Sequence, residues 1–142
     1  MISELVFPMD KHIVGTNEFR NVRVGNHVLG YQVKVRLSYY RSLPLSCVEQ
    51  VMLSVDGRDV PSEAITFCLN NKRFTLEQLR DLYAEWWDIV EDGTLEVQQP
   101  GGLPAGKHEV EIKLVCRTPY MFFHGDFVRR LSKDKKTLTL VN

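Results

Sequence analysis

The chain reads as an all-β protein, an antiparallel two-sheet β-sandwich with at most one short helix. Three observations predict this. Short segments alternate apolar and polar residues with a period of two, most clearly at His108–Val115, where Val110, Ile112 and Leu114 face one way and Glu109, Glu111 and Lys113 the other. Turn chemistry punctuates the chain between such segments, at Asp56-Gly57, Asn70-Asn71, Asp92-Gly93 and Gly101-Gly102-Leu103-Pro104. About eight short strands at this spacing are what a sandwich requires.

Residues 1–21 carry no sustained period and mix short apolar pieces with Pro8, Asp10, Gly15 and Asn17, which predicts an arm or a short edge strand followed by loop. Val22–Val24 ends in a turn at Gly25-Asn26. Val28–Leu37 is a strand in which Tyr31, Val33, Val35 and Leu37 share a face. Pro44 argues against a central strand in the segment that follows. Val48–Val55 is the next strand, closed by Asp56-Gly57, and Ile65–Leu69 runs into the turn at Asn70-Asn71. Thr75, followed by Glu77, Gln78 and Arg80, is placed to cap one or two helical turns. If Trp86-Trp87 is extended, one ring faces the core and the other faces outward. Thr94–Gln98, 108–117 and Thr137–Val141 complete the strands, and the polar, basic stretch 126–136 reads as a solvated loop. No linker or repeat divides the chain, so residues 1–142 are expected to form a single domain with an irregular arm over about 1–21.

The length of 142 residues supports an ordinary core without a metal or disulfide staple. Lys plus Arg number 18 and Asp plus Glu number 18, a balance that argues against a dedicated nucleic-acid binder. Three widely spaced cysteines, at 47, 68 and 116, fit reduced thiols in a cytoplasmic protein. The expected location is cytoplasmic, since no signal-peptide pattern opens the sequence and no apolar run is long enough to span a membrane.

The chemistry-bearing residues do not assemble into a recognisable centre. His12, His27, His108 and His124 show none of the pairings that hold a metal, and no serine sits in a nucleophile elbow. His124, near Asp126 in an aromatic stretch, is the one weak catalytic candidate; the plainer reading is a surface or interface histidine at a loop end. His108 is in phase with the apolar face, which favours a partly buried, hydrogen-bonded role. Tyr39, Tyr40, Arg41, Leu43, Trp86, Trp87, Tyr120, Phe122 and Phe123 stand out more. Such residues concentrate in protein–protein hot spots and also line sugar sites, and they fill sandwich cores equally well.

A family resemblance rests on motifs in a set order. Gly30-Tyr31-Gln32-Val33-Lys34-Val35-Arg36 runs on through Tyr39-Tyr40-Arg41 to Leu43-Pro44-Leu45-Ser46. Val55-Asp56-Gly57 with Val60-Pro61 follows, then Pro100-Gly101-Gly102-Leu103 leading to His108-Glu109-Val110. Together these resemble the small (beta) subunit of bacterial C-glycoside deglycosidases over roughly residues 20–125. The resemblance implies a heteromeric carbon–carbon lyase. Its large subunit, similar to sugar isomerases, is a TIM barrel carrying a divalent metal such as manganese and the catalytic groups. The small subunit is a β-sandwich packed against it. The complex cleaves the bond between a 3-oxo sugar and an aromatic, flavonoid-like aglycone. Prior oxidation at the sugar C3 acidifies the C2 proton, so that a base can start the elimination. The resemblance brings no catalytic residue, cofactor or metal to this chain, and no nucleic-acid or membrane partner. Tyr39, Tyr40, Arg41 and Leu43, with Tyr120, Phe122, Phe123 and His124, are the expected contacts with the large subunit or the border of its substrate entrance. The alternative is a stand-alone glycoside-binding sandwich with no catalytic role, its aromatic clusters lining a groove.

Overall fold

The computed structural model describes residues 6–8, 12–37 and 41–141. Two five-stranded sheets face each other across one core. The first has the spatial order β1 (Val6–Pro8), β12 (Asp126–Leu140), β11 (Gly106–Phe123), β5 (Val48–Val55), β6 (Arg58–Asp59). The second has the order β2 (Arg20–Val24), β3 (His27–Val35), β10 (Gly93–Gln98), β7 (Ile65–Leu69), β8 (Lys72–Thr75). Leu43–Pro44 (β4) and Trp86–Trp87 (β9) form a small separate ribbon, the kind of position that tolerates Pro44. The helical content among the described residues is limited to short 3-10 turns at Leu45–Cys47, Ser62–Ala64 and Glu77–Asp81. None is long and apolar enough to cross a membrane. The chain is thus an all-β sandwich, as its alternation predicts.

Core and turns follow from the same alternation. Val110, Ile112 and Leu114 of β11 are buried with Leu53 of β5 on one side, and Tyr31, Val33, Leu95 and Phe67 on the other. Asp56-Gly57 and Asn70-Asn71 both take left-handed φ at their two positions, the geometry of a type I′ hairpin turn whose twist matches the strands. Thr75 and Gln78 exchange reciprocal hydrogen bonds, side chain to backbone N–H at 3.1 and 2.8 Å, and so cap the 3-10 turn. Trp87 is fully buried, edge-on to Phe67 at 5.2 Å, whereas Trp86 is exposed. His108 is buried between two acceptors, Asp56 and the Pro104 carbonyl.

The reading of 126–136 as a solvated loop is corrected by the structure. These residues belong to β12, which pairs with β11 from His108↔Leu138 to Thr118↔Val128. The inward positions of β12 include Arg130, Ser132 and Asp134, all buried. Asp134 accepts the backbone N–H of Val14 at 2.9 Å, and the Lys136 ammonium donates to the Val14 carbonyl at 2.9 Å. The segment Ile13–Gly15, bridged to β3 through Val14↔Val35, therefore lies in the sandwich with its own backbone as the polar surface that β12 must satisfy. The outward cations of β12 meet acids: Arg129 meets Glu49, Lys133 meets Glu111 and Lys135 meets Glu109.

Candidate functional site at the end of the long hairpin

β11 and β12 form a hairpin that outruns the rest of its sheet. β5 accompanies β11 only as far as Cys116↔Val48, so the residues beyond depend on β12 alone. The register of the ladder shifts between Thr118↔Val128 and Phe122↔Phe127, across Pro119, Tyr120 and Met121. Pro119 has no N–H to offer the ladder, which gives the bulge a local cause. The ladder then resumes through Phe123↔Asp126 and closes at His124-Gly125, with φ of 51° and 80°. His124 thus occupies the left-handed position of a tight turn.

This construction presents apolar rings to solvent. Tyr120, Met121, Phe122 and Phe123 are 43, 44, 62 and 57% exposed. Phe122 meets Phe127 edge-on at 5.1 Å, and Phe123 meets the His124 ring at 4.1 Å. The Arg41 guanidinium lies 4.7 Å over the Tyr120 ring and ties the segment before β4 to the bulge. Below the rings the hairpin is braced. Thr118 Oγ1 donates to the Val128 carbonyl at 2.6 Å, and Glu49 receives Arg129 at 2.9 Å and Arg117 at 3.3 Å. Arg129 also holds Asp126 at 2.6 Å; that hydrogen bond, followed by the Phe127 N–H, keeps the Asp126 carboxyl below its usual range. Arg129 is raised in turn by Glu49 and Asp126.

The residues singled out from sequence fall in different places. Arg41, Tyr120, Phe122, Phe123 and His124 come together at this end and are exposed. Tyr39 and Tyr40 lie outside the described residues. Leu43 is 1% exposed and sits opposite Trp87 in the β4–β9 ribbon, so its side chain belongs to the core and offers no surface to a partner. Asp126, the acid nearest His124 in sequence, is engaged with Arg129. Trp86, also conspicuous in the sequence, is 53% exposed, and the structure adds Ile89 and Val90, 43 and 86% exposed. Trp86 is legible as the outward half of an extended Trp-Trp pair; Ile89 and Val90 give no sequence signal of exposure. Among the described residues no group of three His, Cys, Asp or Glu side chains is placed to hold a metal ion. The three cysteines are free thiols, and Cys116 is pushed up to about 12 by burial. Chemically, this end can present a braced aromatic surface to another molecule.

Comparison with known proteins places the chain in a family. A family model described as C-glycoside deglycosidase beta subunit matches residues 9–120. The chain belongs to the C-glycoside deglycosidase beta subunit family. A C-glycoside deglycosidase beta subunit from Eubacterium cellulosolvens is 32% identical over 114 residues, covering 80% of this chain and 78% of the relative. One from Arthrobacter globiformis is 32% identical over 106 residues, 75% of this chain and 81% of its own. A 3'-dehydrocarminate deglycosidase beta subunit from a Microbacterium species is 31% identical over 110 residues, 77% and 82% of the two chains. A beta-subunit role within this family fits a chain whose notable surface is aromatic. The matched span ends at Tyr120, inside the bulge, so Phe122 and Phe123 lie beyond it.

Proposed function

We propose that this chain is the accessory subunit of a cytoplasmic complex that cleaves the carbon–carbon bond between a 3-oxo sugar and an aromatic, flavonoid-like aglycone. Its partner is a sugar-isomerase-like TIM-barrel large subunit that carries a divalent metal, manganese or similar, and the catalytic base. The base removes the C2 proton, which the C3 ketone acidifies, and the elimination expels the aglycone. Family membership over residues 9–120 carries the reading. A 3'-dehydro substrate in one relative's name supports the oxidised-sugar chemistry. Free thiols support a reducing compartment.

The end bearing Arg41, Tyr120, Phe122, Phe123 and His124 contacts the large subunit or borders its substrate entrance. Covering rings as exposed as Phe122 and Phe123 is worth about 1–2 kcal/mol each. Co-expression with a candidate barrel, size-exclusion chromatography and turnover of a 3-oxo C-glucoside test the whole reading. A stable complex active only with both chains present is the expected result; a barrel fully active without this chain rejects it. Phe122→Ala and Arg41→Ala, made singly, then test the surface. Assembly weakened about tenfold marks a subunit contact, and intact assembly with a raised KM marks the entrance. No change in either quantity removes this end from the complex.

A further inference from the structure

The end of the sandwich opposite the hairpin carries a separate feature. β5 runs from Val48, beside the hairpin, to Val55, and there the two sheets part around a cleft of about 540 Å³. That volume is within the range of roughly 300–1,000 Å³ typical of small-molecule sites. Tyr31 lines it and is 1% exposed. Its phenol is the one aromatic hydroxyl in the lining of the cleft, and it can both donate and accept. Burial, and then the charge of Asp56 on the cleft wall, push the group up to about 12, so it remains a neutral O–H.

We propose that this cleft binds a neutral, polyhydroxylated ligand of monosaccharide size, with the Tyr31 hydroxyl as its hydrogen-bond partner in the interior. Three properties of the lining select that class. Arg58, Asp59 and Gln98 in the lining offer donors and acceptors. Val60, Pro61 and Leu103 add apolar lining of the kind the C–H face of a pyranose requires. Charge is balanced locally: Asp56 is paired with His108, and Asp59 is next to Arg58, so neither an anion nor a cation gains a net attraction.

The test is a titration of the full-length, 15N-labelled chain with glucose, galactose, xylose and methyl β-glucoside, with glucuronate as the anionic comparison. Saturable movement of the Gln98, Gln99 and Val60 amides is expected with at least one neutral sugar, with those of Tyr120–Phe123 unmoved. Glucuronate should bind more weakly than glucose. Tyr31→Phe keeps the ring and removes one oxygen; it should fold as the parent does and weaken binding about five- to tenfold. The proposal is overturned if none of the four sugars gives a saturable response. Equal affinity in Tyr31→Phe, or a response centred on the hairpin end, overturns it as well. Assembly with a barrel does not enter the titration, so its outcome is independent of the complex.

Discussion

His108 is held in a way that dictates its charge and makes the stability of this protein fall above neutral pH. Its Nδ1 lies 2.6 Å from Asp56 Oδ2 and its Nε2 lies 2.7 Å from the Pro104 carbonyl oxygen. An ionised carboxylate and a carbonyl can only accept, so both ring nitrogens carry hydrogen and the ring is an imidazolium. Burial alone would push it down. The Asp56 hydrogen bond, the Pro104 carbonyl and the Asp56 charge together outweigh burial, so it is raised above its ordinary 6.5. Asp56 is lowered from its ordinary 3.8, first by the His108 hydrogen bond and then by the Glu109 N–H. Unfolded chains therefore lose the histidine proton near pH 6.5, while the folded chain keeps it to higher pH. Stability falls as pH rises from there through the folded value. On the acid side it falls as pH drops from about 3.8 through the lower folded value of Asp56. The clasp is complete only between these limits.

A hydrogen bond to a charged group contributes about 1.5–3 kcal/mol. The Asp56 side chain is 49% exposed, and solvent screening reduces the contribution to about 1–2 kcal/mol. For a domain of this size that corresponds to roughly 2–8 °C in Tm. Urea unfolding from pH 6 to 9 measures the loss directly. Asp56→Asn is the decisive variant, because asparagine accepts the left-handed φ of 52° at this turn. Its amide can donate to Nδ1, which leaves His108 neutral with Nε2–H on Pro104. The variant should be less stable than the parent at pH 6 and should lack the parent's decline toward pH 9. The same slope in both proteins, or ring 15N shifts of a neutral tautomer in the parent at pH 6, would refute the reasoning.

Two further substitutions probe the frame. Gly30 pairs with Gln98, and a Cβ there would overlap the Val97 carbonyl oxygen, so Gly30→Ala should cost at least about 2 kcal/mol by urea unfolding; a loss under about 0.5 kcal/mol would show that the strand gives way freely. Asp134→Ala removes the acceptor of the Val14 N–H and should cost about 1–3 kcal/mol, with hydrogen exchange quickened at Val14 and Gly15; unchanged exchange there would show that Asp134 does not pin the segment.

Much of the fold is legible where one chemistry serves one purpose. The β11 alternation is visible because Val110, Ile112 and Leu114 meet apolar partners. The Asp56-Gly57 and Asn70-Asn71 turns are visible because few other residues accept two successive left-handed positions. The site is less legible. Tyr120, Phe122 and Phe123 are conspicuous in composition, but rings that stand in solvent and rings that fill a core are the same rings. Leu43 went into the core for this reason, while Trp86 stayed outside. The bulge at Pro119–Met121 decides the question for Tyr120, and it depends on the register of a partner strand that looked like a loop.

The disguise of β12 has a physical cause. Period-two analysis detects a strand only when the buried face is apolar. Arg130, Ser132 and Asp134 occupy the buried face of β12, opposite Cys116, Leu114 and Ile112 of β11. Asp134 is inward because it accepts the Val14 N–H and pairs with the Lys136 ammonium at 3.4 Å, so the buried amide and the buried carboxylate are both satisfied. The apolar requirement therefore passes to the arm: Ile13 and Val14 are fully buried, and they supply to the core what the middle of β12 lacks. Arm and strand are thus complementary readings of one layer, and neither shows its own period in the sequence. At Asp134 the polarity that hides β12 answers the segment packed against it, because the carboxylate is the acceptor that the Val14 N–H requires.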